Sequence, residues 1–184
     1  KGDNSSELKE DYDNKLLSGI VLNREYPLKK INNDKLTFLT PKISARLSPT
    51  ETKNISHKDK RVDVISLFNT DRLNENTVLE GGESLTLGAD YKLSNENGEF
   101  FSLSGGQVFR LKEEKDIPKT STIGNKRSDI VGNLKFIPSE VFNLDYSFSI
   151  NKDLNDLNYN YAETNFLVNN FVTTFKYLSD SNSI

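Results

Sequence analysis

Apolar residues fall on every second position in several stretches of the chain. Across residues 82–93, Leu85, Leu87, Ala89, Tyr91 and Leu93 share one parity, while Ser84, Thr86, Gly88, Asp90 and Lys92 share the other. Side chains along a strand alternate between two faces, so this pattern predicts a strand with one apolar and one polar side. Residues 142–151 repeat it, with Phe142, Leu144, Tyr146, Phe148 and Ile150 set against Asn143, Asp145, Ser147, Ser149 and Asn151. A helical period fits neither run.

The same reading extends along the chain. Residues 36–47 carry Leu39, Ile43, Ala45 and Leu47 on one face; residues 101–111 carry Phe101, Leu103, Phe109 and Leu111; residues 127–138 carry Ile130, Leu134 and Phe136. Fainter alternation marks 15–23 with Leu16, Ile20 and Leu22, 157–166 with Tyr159 and Tyr161, and 171–178 with Phe171, Phe175 and Tyr177. The prediction is an all-β chain, an antiparallel up-and-down meander of about eight long strands. The clearest strands approach the roughly 9–11 residues that a tilted strand needs to cross a bilayer core. Strands of soluble domains more often stop at about five or six.

The connections alternate in length. Those near 31–34, 95–99, 139–141 and 168–170 are short, and Asn97-Gly98 supplies a hairpin signal because Gly accepts positive φ. Those over 48–81 and 112–126 are long, and 152–156 is intermediate. In an up-and-down barrel, alternate connections emerge on one side, and outer-membrane barrels put the long ones outside. The long loops 48–81 and 112–126, with 152–156, are therefore expected to face outward.

Composition narrows the classes. Only 34% of the 184 residues are apolar, which a barrel with a wet lumen tolerates and a disordered chain with this alternation would not show. No run of eighteen apolar residues exists, so no transmembrane helix is predicted. The chain starts at Lys1 without a signal peptide, and its ends at 1–14 and 179–184 are polar. The expectation is a processed or truncated product whose ends fray or continue. With no Cys, disulfides and thiolate sites are excluded. A net charge of −3 with interspersed signs argues against nucleic acid as a partner.

Candidate chemistry is sparse. The sole histidine, His57, sits in a charged loop and reads as solvated. Asp11 with Asp13, and Asp153 with Asp156, lack the ligand spacing of a calcium loop. Gly81-Gly82 and Gly105-Gly106 lack the ending of a phosphate loop, and glycines beside strands more often mark a bulge or close approach. Asn54-Ile55-Ser56 matches a glycosylation acceptor, a pattern common by chance. No catalytic residue, cofactor site or metal site is predicted, and the expectation is that the chain is not an enzyme.

Ordered motifs carry a family resemblance. The run Asp63-Val64-Ile65-Ser66-Leu67-Phe68-Asn69-Thr70-Asp71-Arg72 is followed by Glu80-Gly81-Gly82 and a strand. Ser104-Gly105-Gly106-Gln107-Val108-Phe109-Arg110-Leu111 and then Arg127-Ser128-Asp129 come next. Together they resemble the middle of the barrel domain of the LptD family, the outer-membrane lipopolysaccharide-assembly proteins. Tyr26-Pro27-Leu28, Leu39-Thr40-Pro41-Lys42-Ile43 and Asn143-Leu144-Asp145-Tyr146-Ser147-Phe148 extend the likeness over about 26–178.

The resemblance implies a segment of a very large barrel in the outer membrane of a Gram-negative cell, surrounded by outer-membrane lipids. Such a segment would form wall for a translocon that places lipopolysaccharide in the outer leaflet. Implied partners are lipopolysaccharide, an LptE-type plug lipoprotein in the lumen, and an LptA-type periplasmic bridge that engages a domain outside this segment. The family-motif positions are Leu67, Phe68, Asp71, Arg72, Gly105, Gly106, Gln107, Arg127 and Asp129. Asp71 and Arg72 are expected to pair and fold the long loop over the barrel mouth. Gln107 has the parity of Leu103 and Phe109, which calls for either an interfacial position or a bulge beside Gly105-Gly106.

Tyr91, Tyr146, Phe109, Phe148, Tyr159 and Tyr161 are candidates for interfacial rings. Asp90, Lys92, Asp145 and Lys135 would line the lumen and meet the plug or the sugars of the substrate. Two alternatives stay open. One is a self-contained small barrel, which requires the first and last strands to pair; the other is a soluble lipocalin-like binding protein, which requires the apolar face to point inward.

Overall fold

A computed structural model describes residues 17–32, 34–75 and 77–181. Nine strands form one antiparallel sheet: β1 (Ile20–Glu25), β2 (Leu28–Asn32), β3 (Lys35–Ser48), β4 (Gly82–Asn95), β5 (Gly98–Arg110), β6 (Ile130–Ser139), β7 (Phe142–Ile150), β8 (Leu157–Val168) and β9 (Phe171–Asp180). Each strand from β3 onward pairs with the next. Leu16, Asp11 and Asp13 lie outside the described residues.

The count of nine rather than about eight has a local cause. β1 and β2 both pair with β3, and the pairs Ile20↔Leu47 and Leu28↔Leu39 keep one constant register. They are halves of a single strand, cut at Tyr26-Pro27. Pro27 has no N–H to give the ladder, and Pro41 of β3 lies beside the same break. Tyr26 N–H still donates to the Pro41 carbonyl at 3.1 Å, which holds the two halves in line.

The connections from β2 to β3, β4 to β5, β6 to β7 and β8 to β9 are two residues each. Gly98, at φ +114°, opens β5 immediately after the Glu96-Asn97 turn. The connections 49–81, 111–129 and 151–156 all leave from the opposite end of the sheet.

The two faces are the reverse of those in a soluble sheet. Leu39, Ile43, Leu47, Leu85, Leu87 and Leu103 are exposed, whereas Ser44, Arg46, Ser48, Ser84, Thr86, Ser102 and Arg110 are buried. The polar side chains are buried because the two long loops lie across them. Of the nine buried apolar residues among those described, Ile55, Val62, Leu67, Leu73, Val78, Ile117 and Ile123 come from loops and Val108 and Val131 from strands. The core thus lies between loops and sheet.

Both alternative folds are overturned. Among the described residues neither β1 nor β2 pairs with β9, so the sheet is open and the small closed barrel is excluded. A lipocalin-like barrel would enclose the apolar face that here is exposed. Three strand limits also shift. Leu111 lies beyond β5 and is exposed, Arg127 meets Phe109 only as an isolated bridge, and the first strand starts at Ile20.

Candidate functional site

The loop-covered polar face is the candidate site, and its first anchor joins two of the sequence motifs. Asp63 starts a tight turn over Ser66–Phe68 by accepting from Ser66 N–H at 2.7 Å through its carboxylate, and from Leu67 N–H at 3.1 Å through its carbonyl. That turn drives Leu67 and Phe68 onto paired glycines, Gly88 of β4 and Gly106 of β5, on the polar face. A Cβ on Gly106 would stand 2.6 Å from Leu67 Cδ2, and one on Gly88 would stand 2.8 Å from Phe68 Cζ. The glycines are therefore the floor of a socket for the loop. Lys42 Nζ lies 5.7 Å from the centre of the Phe68 ring and adds a cation–π contact.

The second anchor is a buried charged node that sequence reasoning missed. Glu80 accepts from Arg72 Nε at 2.9 Å, and its other oxygen is shared by Arg72 and Arg110. Arg72 also donates to Thr86 at 3.1 Å and to Ser84 at 2.9 Å, and Arg110 donates to the Gly81 carbonyl. Arg46 caps the loop carbonyls of Thr70 at 2.8 Å and Asn69 at 2.7 Å. Every buried side-chain nitrogen and oxygen among the described residues has a partner, as a dry charged network requires. Arg72 thus pairs with Glu80 and not with Asp71. Adjacent residues diverge in an extended loop, and Glu80 comes back beside Arg72 when the loop closes. Glu80 and Arg110 both lay inside the quoted motifs, but no sequence period marks a buried charge.

The second loop locks onto the first. Ile55 N–H donates to the Asp116 carbonyl at 2.9 Å, the Thr120 hydroxyl donates to the Lys60 carbonyl at 3.0 Å, and Thr52 donates to Glu114 at 3.0 Å. Gln107 serves this loop. Between the pairs Gly106↔Val131 and Phe109↔Arg127, three steps along β5 face four along the other strand. The extra residue makes a bulge on the Ser128 side, opposite the strand that carries Gly105-Gly106. Gln107 Nε2 satisfies the Ser128 carbonyl at 2.7 Å, and the Ser128 hydroxyl accepts from Val108 N–H at 2.9 Å. Asp129 then ties the loop to later strands through Ser149 at 2.9 Å and Asn158 at 2.8 Å.

Beyond the loops the polar face stays open over β6–β9. A cavity of about 580 Å³ lies there, lined by Asn133, Lys135, Asp145, Tyr161, Glu163 and Asn165 with the loop segment Arg61 to Ile65 at its edge. Lys135 and Asp145 stand 3.5 Å apart, Lys176 and Glu163 3.2 Å apart, and the Tyr161 hydroxyl donates to Glu163 at 2.6 Å. Arg61 holds the loop edge down, paired with Asp180 and stacked 5.1 Å from the Tyr159 ring centre. On β3 and β4, Lys42 pairs with Asp90 at 2.6 Å. The open area offers hydrogen bonds and both signs of charge, a surface for a polar partner.

Aromatic residues mark the opposite, apolar face. Phe136, Phe142, Phe166 and Phe175 form a row across four strands near the two-residue turns, with successive ring centres 6.3, 5.1 and 6.0 Å apart. Tyr91 and Phe101 continue it on β4 and β5 at 6.2 Å. Tyr91, Phe109, Tyr146 and Phe148 lie on this face as the period implied. Tyr159 and Tyr161 instead pair with Ser149 and Ser147 and point to the polar face. The parity of Ala162, Thr164 and Phe166 carries the outer side of β8.

His57 is exposed in the first loop, and no metal-ligand cluster exists among the described residues. Asn54 folds back on Ser56 at 2.8 Å, Asp153 pairs with Lys152, and Asp156 accepts from Asn151 at 3.1 Å.

An open antiparallel meander with an exposed aliphatic face, an aromatic row and a loop-covered polar face defines a class: a piece of β-barrel wall. The LptD family model, described as LPS transport system D, matches residues 12–184. The chain belongs to the LptD family and to lipopolysaccharide transport. No curated protein matches it.

Proposed function

We propose that this chain is wall of the lipopolysaccharide translocon in the outer membrane of a Gram-negative bacterium. One observation carries the reading: exposed leucines and isoleucines cover the side of the sheet away from the loops, while charges are buried on the other. A bilayer accepts the first face, and a lumen accepts the second. The loop end would then face the cell exterior, and the aromatic row at the two-residue turns would sit at the periplasmic interface.

On this reading the two long loops narrow the lumen over β3–β5. The uncovered face of β6–β9, with Lys135, Asp145, Glu163 and Lys176, would meet the LptE-type plug lipoprotein or the sugars of passing lipopolysaccharide. Contact with an LptA-type bridge belongs to the family's periplasmic domain. The chain itself would supply a surface and a path, with transport energy coming from elsewhere.

Site-directed photocrosslinking in cells tests this. A photoreactive residue at Asp145 or Lys176 is expected to capture the plug lipoprotein, and one at Leu87, which would face membrane lipid, is expected not to. Equal capture of the plug lipoprotein from both faces would contradict the assignment.

A further inference from the structure

Arg61 stands between two fixed residues. On one side Thr120 clasps the Lys60 backbone, accepting from its N–H at 3.2 Å and donating to its carbonyl at 3.0 Å, and on the other Val62 is buried in the core between loops and sheet. The backbone is held, and only the side chain reaches out. It crosses to the last two strands, where it pairs with Asp180 and lies 5.1 Å from the centre of the Tyr159 ring. Tyr159 and Asp180 face each other at the loop end of β8 and β9.

This crossing closes one end of the open cavity. The cavity runs along the polar face of β7 and β8, from Ser149 and Tyr159 at the loop end to Asn143 and Asn165 towards the two-residue turns, and Arg61 lines it. Arg61 and Tyr159 thus form a bar across its loop end. The bar is held far less firmly than the loops are. In the Glu80 node the side chains of Arg72, Arg110 and Glu80 are between 1% and 3% exposed, whereas those of Arg61 and Asp180 are 23% and 17% exposed. Water reaches this pair, and an ion pair that water reaches is weak. A second carboxylate is at hand. Asp63, two residues on, lines the same cavity and accepts from Ser66 N–H, which leaves further lone pairs to receive a guanidinium.

We propose that Arg61 is a side-chain gate at the outer end of this cavity. Held against Tyr159 and Asp180 it bars the cavity from the cell exterior; swung towards Asp63 it admits hydrated molecules while the loops stay closed on their buried anchors. This rests on the wall reading above, which puts the loop end outside.

Labelling from outside tests the gate in intact cells that make the protein carrying this chain. The chain has no Cys of its own, so Ser147→Cys on the cavity floor is the reporter. Leu87→Cys on the apolar face is the control, the protein with neither is the blank, and the reagent is a membrane-impermeant polyethylene glycol maleimide. Arg61→Gln and Asp180→Asn are each expected to raise the labelling rate of the reporter about threefold, the scale of an ion pair open to water. Arg61→Asp combined with Asp180→Arg should return the rate towards that of the parent. Added salt should speed labelling in the parent by screening the pair and leave Arg61→Gln unchanged. Protease resistance of the loops should persist in every variant. Equal reporter rates throughout, a parent rate that ignores salt, or a charge exchange that leaves the rate high overturns the gate and leaves the wall reading intact. A faster rate that comes with protease-sensitive loops makes Arg61 a structural tie and overturns the gate as well. Labelling of the Leu87→Cys control as fast as the reporter overturns both readings.

Discussion

Replacing Glu80 by Gln keeps the shape of the buried node and removes the one carboxylate that Arg72 and Arg110 share. Breaking a buried pair and leaving the cations without a counter-charge costs about 3–5 kcal/mol. Because Arg72 belongs to the first loop and Arg110 leads into the second, Glu80→Gln should expose both loops to protease while the strands persist. Unchanged loop protection would mean that the node is incidental. The socket glycines give a graded comparison. A methyl at Gly106 presses on the end of Leu67, which can shift, whereas one at Gly88 would also stand 2.5 Å from the Gly105 carbonyl. Gly106→Ala should cost roughly 1–3 kcal/mol and be partly relieved by Leu67→Ala. Gly88→Ala should cost more and resist relief by Phe68→Ala. Denaturation midpoints of the four variants check this.

At the level of the element, the first loop has a pH-sensitive tie on its exposed side. Lys60 at 2.9 Å and Lys58 at 3.0 Å both reach Glu75, and their hydrogen bonds, that from Lys60 foremost, hold its carboxyl below the usual range. A carboxylate depressed in the closed loop contributes fully above the open-loop value and loses that contribution as pH falls through the lower, closed-loop value. Cleavage of the loop by an acid protease should therefore rise as pH drops below about 4, where free glutamate titrates. Glu75→Gln should raise cleavage at higher pH and flatten this dependence. A wild-type profile as flat as the variant's would refute the tie.

The strands were legible where alternation was strict. β4 and β7 carry an unbroken apolar parity and were read from it almost residue for residue. Elsewhere, local chemistry interrupted the period: Pro27 cut the first strand in two, and a bulge opposite Gln107 freed a carbonyl that the glutamine then caps. Tyr159 and Tyr161 were misplaced because an aromatic ring with a hydroxyl suits either face, and the Ala162, Thr164 and Phe166 parity is weaker. The core itself was hidden. Ile55, Val62, Leu73, Val78, Ile117 and Ile123 sit in irregular loops, where burial follows from tertiary closure and leaves no period in the sequence. The motif positions fared unevenly for the same reason. Leu67, Phe68 and Gly106 meet in one socket, but the partner of Arg72 depended on how the loop returns.

For the whole molecule, the decisive property is which side of the sheet meets lipid. The exposed aliphatic face and the buried arginines belong to one design, in which the sheet is sealed by loops on its polar side and by bilayer on its apolar side. The central measurement is a spin-label scan along β4 in the protein carrying this chain, folded in vesicles, with single cysteines at 84–93 except the socket position Gly88. Collision with oxygen, which concentrates in lipid, should peak at Leu85, Leu87, Ala89, Tyr91 and Leu93 and fall at Ser84, Thr86, Asp90 and Lys92. A scan without this period of two, or with its phase reversed, would contradict the account.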